Sequence, residues 1–339
     1  MEKINLIKNI APEIIDFIER RYLILRNISY NQPIGRRKLS VNLGIKERTI
    51  REDIGILKEL GFLNVDPTGM YITDKGDNLI KELHDIYIDL IGISTLEENL
   101  REKLNIKKVI IVPGNSTEDE AVLKDMGKTT FEVLKNNLNN KSLIGITGGN
   151  TMASVAKEAL KDDKHREVII IPARGGLGKD VNTQSNSIAA KLADKLGGMY
   201  RLLYIPDGLG EDALKLVLKN KEIKESIDLI NDIDTLVFGL GRADTMAERR
   251  DLDKSHIKRL LDGGAVAEAF GHYFNIEGKE IWEYSTIGLT LDKFKTLKNL
   301  IGVAGGEEKA EAIISIATLN NNMTLITDES AAKNILNMV

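Results

Sequence analysis

The chain of 339 residues contains no cysteine, which excludes disulfides, thiol catalysis and thiolate-held metal together. Residues 1–10 mix Lys3 and Lys8 with single hydrophobics and lack a secretory apolar core. A cytoplasmic location is therefore expected. Histidine is scarce: His84, His165, His256 and His272 are the whole set, and no two lie three to five residues apart. That spacing rules out a helical metal pair, so no structural metal is expected. No apolar run reaches the roughly 18 residues that a membrane span needs. Aromatic residues make up only 5% of the chain and carry no functional argument.

What is present is a large core and a hidden charge asymmetry. With 42% hydrophobic and 29% charged residues, wholesale disorder is excluded, and the length suggests two domains. The net charge is -4, yet residues 20–60 carry ten basic side chains (Arg20, Arg21, Arg26, Arg36, Arg37, Lys38, Lys46, Arg48, Arg51 and Lys58). Only Glu47, Glu52, Asp53 and Glu59 oppose them. A basic patch on an acidic protein signals a partner, with nucleic acid the first candidate and a solvated helix face the plain alternative.

The first ninety residues read as helical with one late hairpin. Ile14, Ile15, Ile18, Tyr22 and Leu25 fall at helical spacing. Pro33 and Gly35 break the chain before a second helix beginning near Arg36, with Leu39 and Leu43 inward, which Gly44 ends. A third helix over 47–60 turns Ile50, Ile54, Leu57 and Leu60 inward. Residues 62–65 and 70–73 form short strands around the turn Asp66-Pro67-Thr68-Gly69. Helix, turn, helix and hairpin is the winged helix-turn-helix order. Residues 75–104 then form one or two long helices, with an apolar seam of Leu79, Leu83, Ile86, Leu90 and Ile93. Ser94 with Glu97 suggests a capping box restarting the helix. The seam suits either a dimerising linker or a helix packed on the body. Domain boundaries are set at 1–90, a DNA-binding domain with linker helix, and 91–339, an effector-binding and oligomerisation domain.

From residue 107 the periodicity changes. Apolar runs at 109–112, 143–146, 168–171, 202–205, 236–238, 300–303 and 324–326 alternate with helical stretches. The fold class is therefore α/β, with a doubly wound, mostly parallel Rossmann-like sheet after the winged helix. Ligands in such sheets bind beyond the carboxyl ends of the strands. There the sequence places Thr147-Gly148-Gly149-Asn150-Thr151, a strand-to-helix turn whose glycines, hydroxyls and free helix N–H groups suit a phosphate. Gly305-Gly306 with Lys309 repeats the pattern, or is an ordinary turn with an exposed lysine. Arg174, at another strand end before Gly175-Gly176-Leu177-Gly178, can fork onto phosphate oxygens. The same glycines can equally be a flexible loop. Gly239-Leu240-Gly241 begins like a dinucleotide fingerprint but lacks its third glycine. Arg249 and Arg250 offer cations for a second phosphate, or a solvated face. Glu268 lies in an apolar glycine-rich stretch, where it needs sugar hydroxyls or an internal salt bridge.

These residues resemble the SorC family of bacterial transcriptional regulators nearly end to end. The likeness rests on 33–37 with 43–45, on the 147–149 turn, and on 172–178, 267–271, 273–275 and 303–306 with Lys309. It implies a winged-helix DNA reader and an effector domain similar to sugar-phosphate isomerases and glucosamine phosphate deaminases. Among members that govern glycolysis, it implies repression of an operon of triose-phosphate enzymes, relieved by fructose 1,6-bisphosphate, with no cofactor. Carried over, Gly148, Gly149, Asn150, Thr151, Arg174, Gly305, Gly306 and Lys309 hold phosphate, Gln184 and Glu268 meet the sugar, and Arg249 serves the other phosphate. Asn150 departs from the expected second threonine but can still donate through its amide. In the helix-turn-helix, Arg48, Thr49 and Arg51 are expected to reach base edges, while Arg36, Arg37, Lys38 and Lys46 meet operator phosphates. The implied assembly is a homo-oligomer, a dimer that becomes a tetramer on DNA. The rival is an isomerase or deaminase using Glu268 with His272, four residues away.

Overall fold

The computed structural model describes residues 10–139, 141–162, 167–178, 180–208 and 211–338, so residues 1–9 and His165 lie outside the described residues. The chain divides into two compact units, 1–95 and 96–339.

In the first unit, helices Pro12–Asn31, Arg36–Leu43 and Glu47–Glu59 precede strands β1 (Leu63–Asp66) and β2 (Gly69–Ile72) and helix Asp74–Leu90. Ile24, Leu25, Ile28, Leu39, Ile50, Ile54 and Leu57 close over Leu63 and Met70 as its core. Ile34 joins the hairpin at a single bridge, through an exchanged pair of backbone hydrogen bonds with Met70. Asp66 accepts hydrogen bonds from the Thr68 and Gly69 amides, which sets the tight turn. Two expected core positions face out instead, Ile14 and Leu60, because each lies at a helix end beyond the packed middle.

Residues 75–104 form two helices, the second of the expected arrangements, and the apolar seam along them is interrupted. Helix Asp74–Leu90 stops, Gly92 takes a φ of +79°, and helix Ile93–Leu104 begins afresh. Ile86 is 48% exposed, whereas Leu90 and Ile93 are buried. The capping box does not form: Ser94 Oγ donates to Asp89, and Glu97 accepts instead from the Ile111 amide.

After that helix come β3 (Lys108–Val112), β4 (Leu143–Ile146), β5 (Ile169–Pro172), β6 (Met199–Tyr200), β7 (Thr235–Gly239), β8 (Gly241–Arg242), β9 (Ala267–Ala269), β10 (His272–Phe274), β11 (Glu280–Glu283), β12 (Asn299–Val303) and β13 (Met323–Asp328). Seven of them form a parallel sheet in the order β3-β13-β12-β7-β4-β5-β6. Their near-continuous apolar sequences follow from burial on both faces. The expected strand at 202–205 is not one. Pairing ends at Tyr200, and the Asn186 side chain takes both the N–H and the C=O of Leu203, giving that backbone a side-chain partner instead of a ladder. Strands β8 to β11 form a separate antiparallel sheet, which the apolar-run pattern did not anticipate. The chain runs outward from β4 to β6, then returns to the other side of β4 at β7 and continues toward β3. The direction thus switches between β4 and β7, where their loops part and open a crevice.

Candidate functional site

A cavity of about 180 Å³ opens at this switch point. It is lined by 147–151 beyond β4, 238–241 at the end of β7, Arg174, Arg249, Glu268 and Lys309 among others. The Gly239 amide donates to Thr147 Oγ1 at 3.1 Å, tying the two loops together at its floor. Gly148 is required by close approach, since a Cβ there would lie 2.6 Å from the Thr183 carbonyl oxygen. Gly149 is required by conformation, with a φ of +114°, and its amide donates to that same carbonyl. Helix Asn150–Glu158 then starts without a side-chain cap, so its first N–H groups and positive dipole end remain available to an anion.

Two cations stand in the same cavity. Arg249 closes helix Ala243–Arg249, and Lys309 follows the turn after β12. Among the described residues, neither makes an ion pair or a side-chain hydrogen bond, although both line the cavity. Burial pushes the Lys309 ammonium down, and Arg249 and Arg242 push with it, while Glu308 and Asp328 pull the other way. Cations without an ion-pair partner in a cleft are what an anionic ligand would relieve.

Arg174 and Glu268 sit in a tighter arrangement than expected. Arg174 Nη2 donates to Asp207 at 2.5 Å, and its Nη1 to Glu268 Oε1 at 3.4 Å. Arg250 donates to Glu268 at 2.7 Å and to the Tyr273 hydroxyl at 2.9 Å, and lies 3.4 Å from Asp207. Burial alone would raise the Glu268 carboxyl, but Arg250, Arg174 and the Gly271 amide outweigh it and hold it below the usual carboxylate range. Arg250 is therefore buried rather than on a solvated face. The two arginines and two carboxylates alternate in charge, leaving Arg174 Nε without a partner. A sugar hydroxyl placed against this group finds acceptors at Glu268 and a donor at Arg174. Arg250 was legible only as a candidate cation for a phosphate, and Asp207 was not legible as a site residue at all. Asp207 lies in a polar turn far from the other members in sequence, with no local signal.

Two expected phosphate or sugar contacts are used otherwise. The Gly306 amide donates to Asp328 Oδ2, as do the Ser116 amide and hydroxyl, so this turn already holds a carboxylate where phosphate was expected. Gly305 and Gly306 do not line the cavity, though Lys309 beyond them does. Gln184 donates to the carbonyls of Leu177 and Gly178, shaping the glycine loop from outside the lining. His272 also fails to join Glu268. Glu268 faces Tyr273 across the β9–β10 ladder while His272 faces Ala269, and neighbouring positions point to opposite faces of the sheet. No histidine is among the described residues lining the cavity, so the acid–base pair required by the isomerase reading is not assembled.

In the first unit, Arg36, Arg37, Lys38, Lys46, Arg48 and Arg51 are exposed and Thr49 is half-buried. Arg48 with Glu52, and Arg51 with Glu47, form exposed pairs one turn apart. Such pairs are worth little in water and exchange readily for phosphate or a base edge. Arg20 and Arg21 leave the basic patch, because both bind the buried Asp53, at 2.6 and 2.9 Å.

A winged helix and a parallel sheet with a crevice at its switch point define a class of ligand-responsive, DNA-binding transcriptional regulators. Residues 17–87 match the "CggR N-terminal DNA binding domain" and residues 89–337 the "Putative sugar-binding domain". The chain belongs to the SorC family of transcriptional regulators. It is 39% identical to the central glycolytic genes regulator of Bacillus subtilis over 329 residues, 97% of each chain. It is equally similar to that of Priestia megaterium, at 39% over 330 residues, 97% of this chain and 96% of the other. A solved "putative SorC family transcriptional regulator" from Enterococcus faecalis superposes with a TM-score of 0.67 at 36% identity, over 71% of this chain and 99% of that one. The full-length sorbitol operon regulator SorC from Klebsiella pneumoniae shares the fold, with a TM-score of 0.65 at 18% identity over 94% and 98% of the two chains.

Proposed function

We propose that this chain is a cytoplasmic repressor of an operon of triose-phosphate enzymes, and that fructose 1,6-bisphosphate weakens its hold on the operator. The similarity to the central glycolytic genes regulators of Bacillus subtilis and Priestia megaterium supports the glycolytic assignment. The observation that carries the ligand class is the pair of unpartnered cations, Arg249 and Lys309, beside the glycine turn at 147–151. In this reading the turn, Asn150, Thr151 and Lys309 hold one phosphate and Arg249 the other. Glu268 and Arg174 orient the sugar, and no cofactor takes part. The protein acts as a homo-oligomer, a dimer that becomes a tetramer on DNA, and the effector favours one of two arrangements of that assembly.

One observation favours a second reading, a regulator of the same family that senses a sugar monophosphate. Arg249 and Lys309 line the same small cavity, so both cations can meet a single phosphate. The experiment is a ligand-induced shift in melting temperature across fructose 1,6-bisphosphate, sugar monophosphates and nucleotides. A ligand at 100 times its Kd adds about 2.7 kcal/mol of stability. A large shift with the bisphosphate alone supports the first reading, and one with a monophosphate alone moves the assignment to another pathway. No shift with any phosphate would leave the glycine turn a structural feature only.

A further inference from the structure

The small antiparallel sheet carries a cluster that the sugar cleft does not use. Across the β10–β11 ladder, His272 faces Glu283, Tyr273 faces Trp282 and Phe274 faces Glu280. Residues three apart on a strand ordinarily point to opposite faces. Here the register slips between Tyr273 and Phe274, leaving Ile281 as an extra residue in β11. That bulge returns Glu280 to the face of Glu283 and His272, the kind of re-aiming for which bulges are used beside functional sites.

The three side chains offer ligand atoms that all lie within 4.8 Å of one another. His272 Nδ1 is buried and 3.3 Å from Glu280 Oε2, yet it makes no hydrogen bond. A tetrahedral ion with bonds of about 2.0–2.1 Å to nitrogen and oxygen separates neighbouring ligand atoms by about 3.3 Å. The gap is the one that an ion bound between the two atoms leaves, and the orientation of the pair makes no hydrogen bond. Among the described residues, neither Glu280 nor Glu283 pairs with a lysine or arginine, and His272 is the one basic group beside the two carboxylates. Both are exposed, and β11 is the edge strand, which leaves an ion free to enter.

We propose that His272, Glu280 and Glu283 bind one divalent transition-metal ion of the zinc class, with water completing its coordination. One imidazole and two carboxylates suit zinc or cobalt(II) in preference to the softer ions that need sulfur. The cluster lies on the face of the sheet opposite Glu268 and Tyr273, so its occupancy is independent of the sugar-phosphate reading.

The test uses the tag-free full chain, titrated with CoCl2 and followed by visible absorption, and with ZnCl2 by calorimetry in a buffer free of phosphate. One saturable equivalent of each metal is expected. His272→Asn and Glu280→Gln should each weaken binding by about tenfold or more. Glu277→Gln, exposed in the hairpin turn, should leave it unchanged. Glu280 is itself exposed, so its variant keeps the test decisive even if the His272 variant folds poorly. Absence of saturable binding at millimolar metal, or binding that survives Glu280→Gln at full strength, would overturn the assignment.

Discussion

Replacing Lys309 by methionine separates binding from stability, because the two should move in different directions. In the free protein the ammonium has no ion-pair partner among the described residues, and its pKa is lowered first by burial and then by Arg249 and Arg242. A lysine whose folded pKa lies below its ordinary 10.5 is a cost to folding. That cost is fully present below the folded pKa, where both states are charged, and fades as the pH rises toward 10.5. Lys309→Met keeps the apolar stem and removes the charge, so the melting temperature at pH 7 should hold or rise. Ligand binding should suffer instead. A hydrogen bond to a charged group is worth about 1.5–3 kcal/mol, which is roughly a 10- to 150-fold rise in Kd. Calorimetry with fructose 1,6-bisphosphate and a hexose monophosphate, beside a thermal melt of the free variant, reads both effects. A Kd within threefold of the parent, or a free variant that melts several degrees lower, would show that the lysine is structural and refute the reasoning.

Glu268→Gln removes one anion from the alternating cluster and leaves Asp207 alone against both Arg174 and Arg250, so a loss of about 3–5 kcal/mol is expected in denaturant unfolding. Because the Glu268 carboxyl is held below its ordinary 4.5, its contribution is present above that pH and is lost as the pH falls through the folded value. Acid titration of the parent should show that loss, and the variant should not. Gly148→Ala places a methyl against the Thr183 carbonyl, which should cost about 1–3 kcal/mol and weaken phosphate binding by moving the turn. Arg48→Ala should cost about 1–3 kcal/mol on the operator if Arg48 reads a base, whereas Arg37→Ala should weaken all DNA alike and reduce the salt slope by about one. Mobility-shift titrations at several salt concentrations distinguish the two.

Much of this architecture is local chemistry and so was legible in the sequence. The winged helix follows from Gly44 and Gly61 as helix stops, from apolar positions at helical spacing, and from the Asp66-to-Gly69 turn. The parallel sheet follows from short β-branched runs, since strands buried on both faces have no polar alternation to hide. The 147–151 turn was recognisable because its glycine pair lies between a strand and a helix and is flanked by hydroxyls. What local chemistry could not decide was which groups meet. Gly305-Gly306 has the same pattern as the first turn, yet Asp328, 22 residues away, occupies it with a carboxylate. Arg250 and Asp207 are bound into one cluster by pairing across distant loops, and no spacing rule connects them. The seam through Ile86 broke at Gly92, because backbone conformation overrides a short apolar repeat. The His272 cluster depends on a single bulged residue in β11, which sequence periodicity cannot locate. Elements arise from neighbours along the chain. A site arises from the register and crossover that bring remote residues within a few ångströms, and those are decided only when the sheet closes.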